Sequence, residues 1–149
     1  MNVGEVCNRE VVVIGKKDSI REAAKLMRSF HVGNLVVVEE RDNERFPVGI
    51  LTDRDIVIEL LAKDIDPGAV DIGDAMSYEL VMARDEEDIR DAIKRMKSKG
   101  VRRVPVVNKN GVLVGILAMD DLIDIFAEEL KDLAELIIRE QKREREARF

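Results

Sequence analysis

The chain has 149 residues, 38% of them charged and 46% hydrophobic, with a formal net charge of −6 at pH 7. That length matches one ordinary domain with room for a core. The composition excludes disorder, and the acidity disfavours non-specific attraction to nucleic acid or anionic membrane.

The first element in chain order is a short apolar run, Val11 to Ile14, which reads as a strand. A helix follows, with apolar residues Ile20, Ala23, Ala24 and Met27 at helical spacing and Ser19 with Glu22 as a candidate capping box. Leu35 to Val38 is continuously apolar, as expected of a strand covered on both faces. A polar hairpin, Glu39 to Phe46, leads to a strand at Val48 to Leu51 and a closing helix from Asp53 to about Leu61. That helix, Ile56-Val57-Ile58-Glu59-Leu60-Leu61, is apolar on more than one face. The core needs only one of them, so a homodimer is expected.

The same order then returns. Ile20 to Val38 matches Ile89 to Val107 at an offset of 69, and Val48-Gly49-Ile50-Leu51 matches Val114-Gly115-Ile116-Leu117 at an offset of 66. The missing three residues fall in the hairpin, which tightens to Asn108-Lys109-Asn110-Gly111. Asp88 and Asp91 stand where Ser19 and Glu22 stand, and Pro105 points to a sheet edge or strand start for its segment. The fold class expected is α/β, with tandem β-α-β-β-α repeats about a pseudo-twofold axis and a ligand cleft between them. We divide the chain into repeat 1 (1–64), a linker with Pro67-Gly68 (65–71), repeat 2 (72–130) and a C-terminal helical extension (131–149). Leu122, Phe126, Leu130, Leu133 and Ile137 carry an apolar stripe into that extension. It either packs on the module or its dimer mate, or docks another protein.

The doubled order, the segment Gly49-Ile50-Leu51-Thr52-Asp53-Arg54-Asp55, the opening Asp74-Ala75-Met76-Ser77 and the strand Arg102-Arg103-Val104-Pro105-Val106-Val107 resemble a pair of CBS domains, the cystathionine-beta-synthase-type repeat, forming one Bateman module. The resemblance covers roughly residues 1 to 130. It implies a regulatory signal-transduction module that binds an adenosine-containing ligand, AMP, ADP or ATP and less readily S-adenosylmethionine or NAD, between its halves. It also implies that Thr52 and Asp55 hold the ribose, while Arg102 and Arg103 of the opposite repeat reach phosphate.

The chemistry of these residues suits that role. A carboxylate at Asp55 accepts two hydrogen bonds from a ribose diol, and guanidinium forks suit phosphate. Gly49 would let a ligand approach the strand backbone. Each residue also has a plain reading: Thr52-x-x-Asp55 is a capping box, Arg102-Arg103 a solvated pair, and Val12, Val13 and Ile14 core strand as readily as adenine walls. In the second copy Ala118 replaces Thr52 and Gly33-Asn34 replaces the arginine pair, so only Asp121 remains and the two sites are expected to be unequal.

With one His and one Cys, catalysis and a His/Cys zinc site are not expected, and no cofactor is required. His31 should be exposed or near a ligand, and Cys7, aligned with Met76, a buried inert thiol. The absence of a signal sequence and of a membrane-spanning run favours the cytoplasm. The function expected is a non-enzymatic nucleotide sensor acting on a regulated protein. The alternative is a constitutive interaction scaffold with vestigial clefts.

Overall fold

The computed structural model describes residues 1–148. Its first compact unit is Met1–Leu117, and a second begins at Ala118. Two three-stranded sheets make up the fold. One orders β1 (Val13–Gly15), β2 (Asn34–Arg41) and β3 (Glu44–Thr52). The other orders β4 (Ala83–Arg84), β5 (Arg103–Val107) and β6 (Leu113–Ala118). In each, the first strand pairs parallel with the second, which is the central strand. The crossover helices are α2 (Ile20–Phe30) and α5 (Ile89–Lys99). Short helices α1 (Val3–Val6) and α4 (Ile72–Ala75) open the repeats.

Those openings are exchanged between the repeats. Val3 N and Gly4 N donate to the carbonyls of Glu87 and Asp85 at 2.9 and 2.8 Å, while Ile72 N and Gly73 N donate to those of Asp18 and Lys16 at 3.0 and 2.8 Å. Every partner in one set is displaced by 69 residues from its counterpart in the other, so the hydrogen bonds carry the twofold relation that the repeated sequence implies. The core built on Ile14, Ile20, Leu35, Val37 and Leu51 is completed by Ile72, Ala75 and Met76 of the other repeat. Ile72 is fully buried and Met76 5% exposed, burial worth about 1.5–3 kcal/mol per side chain. Neither repeat has a closed core by itself.

The hairpin expected over Glu39 to Phe46 is mostly strand. Asp42 and Asn43 form a two-residue turn with φ of 52° and 62°, which matches the strand twist, so Glu39 pairs with Phe46 and Arg41 with Glu44. Pro105 corrects a second expectation: it is buried in a central strand, not at an edge. In repeat 1 the equivalent Val36 N donates to Val12 O at 3.1 Å. Proline has no such proton, and β4 accordingly begins one step later, pairing only Ala83 with Val106 and Arg84 with Val107. The ladder is shortened at the proline, and the strand keeps its central place.

The crossover helices differ at both ends. The Ser19 hydroxyl accepts from Glu22 N at 3.1 Å, whereas the Asp88 carboxylate accepts from Arg90 N and the Arg90 guanidinium, and Asp91 N goes to the Asp88 carbonyl instead. At the C-terminal caps, Gly100 (φ 68°) and His31 (φ 54°) are both left-handed. His31 is exposed there. Glu87 is held by a two-pronged bond from Arg95, at 2.8 and 2.7 Å, and this guanidinium holds its carboxyl below the usual carboxylate range.

The closing helix of repeat 1 is one α-turn, α3 (Asp53–Asp55), running into a π-helix over Ile56–Leu61, with Ala62 N bonded to Val57 O at 2.9 Å. Leu60 is buried, and Val57 and Leu61 are exposed. The second unit is one helix, α6 (Met119–Arg148). No helix among the described residues is long and apolar enough to cross a membrane.

Two outcomes follow for stability. His31→Gly relieves a left-handed L-residue, worth about 1–2 kcal/mol, against the extra freedom of glycine in the unfolded chain, so a net gain of about 0.5–1 kcal/mol is expected in urea unfolding. For Glu87, the folded pKa lies below the unfolded one. Its contribution is complete above the ordinary glutamate range and is lost as pH falls through the depressed value. The stability gap between the parent and Glu87→Gln should therefore narrow steadily from neutral to acidic pH.

Candidate functional site

Thr52 ends β3 in extended backbone and starts α3, so its hydroxyl meets the free N–H groups of a helix start. Its Oγ1 accepts from Asp55 N at 3.0 Å, and Asp55 Oδ2 accepts from Thr52 N at 2.9 Å. The capping box is therefore formed, and forming it leaves chemistry over. The hydroxyl keeps its proton and the carboxylate its second oxygen, one donor and one acceptor on adjacent half-buried side chains. Asn34 is the cross-strand partner of Thr52, and Gly33 O accepts from Asp53 N at 2.9 Å. The pair preceding the central strand thus lies beside the Thr/Asp turn of its own repeat.

Asp55 lines a hollow of about 420 Å³ with Glu59, Leu60, Lys63, Val70, Asp74 and Ser77 among its walls. Its charged groups are three carboxylates and Lys63, which pairs with Glu59. Arg102 is exposed and Arg103 half-buried at the start of β5, and neither lines this hollow. Val12 and Val13 line a different one, about 700 Å³, with Asn8, Glu10, Leu26, Phe30 and Val32, while Ile14 is buried in the core. Asp121 is exposed in the first turn of α6, within the second unit.

The exchange of opening segments explains this partition. Ser77 N donates to Ile50 O at 3.0 Å and Ile50 N to Ser77 O at 3.4 Å, two residues before Thr52. Because this bridge is antiparallel, the chain that runs past the Thr52 turn is the segment leading up to Ser77, and Asp74, Ala75, Met76 and Ser77 line the Asp55 hollow where Val12, Val13 and Ile14 do not. Asn8 makes the same reciprocal pair with Ile116, at 2.9 Å each way.

Gly49 acquires a different reason from ligand approach. A Cβ there would lie 2.7 Å from Met76 Sδ and 2.8 Å from Ser77 O, and at Gly115 it would lie 2.7 Å from Cys7 Sγ and 2.8 Å from Asn8 O. The space beside both glycines belongs to the exchanged backbone. Cys7 is half-buried, not fully buried, and burial pushes its thiol above the ordinary range with Arg9 opposing. Among the described residues no group of three or more His, Cys, Asp or Glu is placed to hold a metal ion. Lys63 and Ser77 escaped the sequence reading. Lys63 had no motif to mark it, whereas the repeated opening Met76-Ser77, aligned with Cys7-Asn8, carried a signal for the second.

The CBS domain family model matches residues 3–62 and 71–128. The chain belongs to the CBS domain family. A CBS domain-containing protein of Bacillus subtilis is 36% identical over 121 residues, covering 81% of this chain and 82% of that protein. An uncharacterized protein of Methanopyrus kandleri is 35% identical over 84% of this chain, which spans only 62% of that protein's length. Among solved structures, a CBS domain protein from Pyrobaculum aerophilum complexed with AMP is similar at a TM-score of 0.73 and 28% identity, covering 82% of this chain and 90% of that one. A CBS domain pair in complex with 5-methylthioadenosine and S-adenosyl-L-methionine is similar at 0.75 and 25%, covering 87% and 98%.

If the exchanged segment is what Gly49 accommodates, Gly49→Ala should cost about 1–3 kcal/mol in urea unfolding whether or not a ligand is added. Unchanged stability, with a loss of ligand affinity only, would return this glycine to the ligand.

Proposed function

We propose that this CBS pair is a non-catalytic sensor of an adenosine ligand, with Thr52 and Asp55 gripping the ribose at the turn between β3 and α3. The observation that carries it is the unused hydroxyl proton and carboxylate oxygen, left side by side after the capping box is made, in a chain similar to CBS proteins complexed with AMP and with S-adenosyl-L-methionine. Backbone of the Asp74–Ser77 segment supports the base, and Gly49 fixes how close Met76 and Ser77 lie. Arg102 and Arg103 supply cations for phosphate, as the family resemblance implies. The Asp55 hollow itself holds more carboxylates than cations, so any phosphate affinity has to come from beyond it. Asp121 anchors the weaker second site, which lacks the hydroxyl.

Signalling requires that ligand favour one arrangement of repeats or subunits over another. The exposed Val57 and Leu61 on the closing π-helix form the surface through which a homodimer transmits that preference to a regulated protein.

Isothermal titration with adenosine, AMP, ATP and S-adenosylmethionine tests the assignment. The parent should bind at least one of them. Asp55→Ala should weaken that ligand about 10- to 100-fold, the range for hydrogen bonds to a charged group. Arg103→Ala should weaken AMP and leave adenosine unchanged. No heat from any of the four ligands refutes the sensor and leaves a scaffold.

A further inference from the structure

The helix α6 runs for 30 residues, about 45 Å. Ile123, Phe126, Leu130, Leu133 and Ile137 recur along it at alternating spacings of three and four, the a/d pattern of a two-stranded coiled coil. All five are exposed, from 38% at Phe126 to 68% at Leu130, and Leu136 and Ile138 at 61% and 65% widen the apolar face. A seam of this length on one side of a helix otherwise covered in charge is a surface that associates.

The charge of the helix selects the occupant. Residues 119–135 contain seven carboxylates and one lysine, a balance of −6, whereas residues 136–148 contain five basic and three acidic side chains, a balance of +2. Ion pairs along the helix, Lys131 with Glu135 and Arg148 with Glu144, are local ones between turns and leave the end-to-end asymmetry in place. Two copies laid parallel would set the two acidic halves side by side. Laid antiparallel, each acidic head meets a basic tail, and the helix dipoles also oppose.

We propose that α6 pairs with α6 of a second copy as an antiparallel two-stranded coiled coil. The alignment that sets Leu130 of one copy against Leu133 of the other also sets Phe126 against Ile137, giving four consecutive apolar layers with the twofold axis between residues 131 and 132. Asp124 then comes level with Arg139, Lys131 with Asp132 and Glu128 with Glu135, all at outer heptad positions, so the charge preference is one of whole helix halves and not of contacting pairs. This pairing is independent of what the adenosine site binds.

A spin-label distance in the full-length protein tests it. Labels at Gln141→Cys in a Cys7→Ser background should lie about 30 Å apart in the antiparallel pair and about 15 Å apart in a parallel one. The longer distance supports the proposal, provided that Leu130→Glu with Leu133→Glu abolishes it. The shorter distance overturns it, and so does the absence of any defined distance, the outcome if the seam is covered by its own chain or by a different protein. Charge is tested separately by sedimentation. Reversing the tail (Arg139→Glu, Lys142→Glu, Arg143→Glu) should weaken self-association about 10-fold or more, and mixing that variant with a reversed head (Asp124→Lys, Glu129→Lys, Asp132→Lys) should restore it. Failure to restore it overturns the antiparallel orientation. Because none of these residues belongs to the adenosine site, ligand titration of the same variants separates a failed pairing from a failed sensor.

Discussion

At Gly49 of β3 and Gly115 of β6, the other repeat's opening backbone comes so near that a single methyl group would overlap its carbonyl oxygen and its sulfur-bearing side chain. Around each glycine the strand and the visiting segment exchange a reciprocal pair of hydrogen bonds, Ile50 with Ser77 and Ile116 with Asn8. The bonds themselves are individually modest. What makes them decisive is that the segments they hold carry Ile72 and Met76 into a core that would otherwise stand open. The two repeats therefore fold as one cooperative unit, with each supplying part of the other's interior.

The site inherits its composition from that exchange. Thr52 and Asp55 stand at a helix start whose local hydrogen bonds they already make, so the turn is rigid before any ligand arrives. Beside it runs a segment of the other repeat, so the walls of the hollow come from both halves, and a ligand proposed to bind there would touch both at once. This is the physical basis on which a small molecule can bias their placement, since only a group contacting both can favour one arrangement. The π-turn after Asp55 places Leu60 in the core and leaves Val57 and Leu61 outside, so the Thr52–Asp55 turn and the exposed apolar face share one short helix.

Small sequence differences between the copies have local and traceable effects. Pro105 removes one ladder bond and trims β4 by a residue without displacing β5 from the centre of its sheet. Asp42 and Asn43 supply the left-handed turn that lets β2 and β3 extend through most of the expected polar hairpin. The edge assignment for Pro105 failed because it weighed the missing donor and not the freedom of a neighbouring strand to start later. The hairpin was read correctly but its strands too short, because charged residues such as Glu39, Glu40 and Arg45 sit on strand ends exposed to water, where polarity does not report backbone conformation.

Read alone, the amino-acid sequence determined the duplication, the β-α-β-β-α order, the helix caps at Ser19 and Thr52 and the apolar stripe of α6, because each is written in residues close together along the chain. The candidate Thr/Asp turn was legible for the same reason. Tertiary structure alone decided which repeat covers which segment, that Val12 and Val13 line another hollow than Asp55 does, and that Gly49 answers to Met76 and Ser77. Those outcomes depend on register between residues far apart in sequence, and a repeat makes the two possible partners of each segment look alike until the backbone has chosen between them.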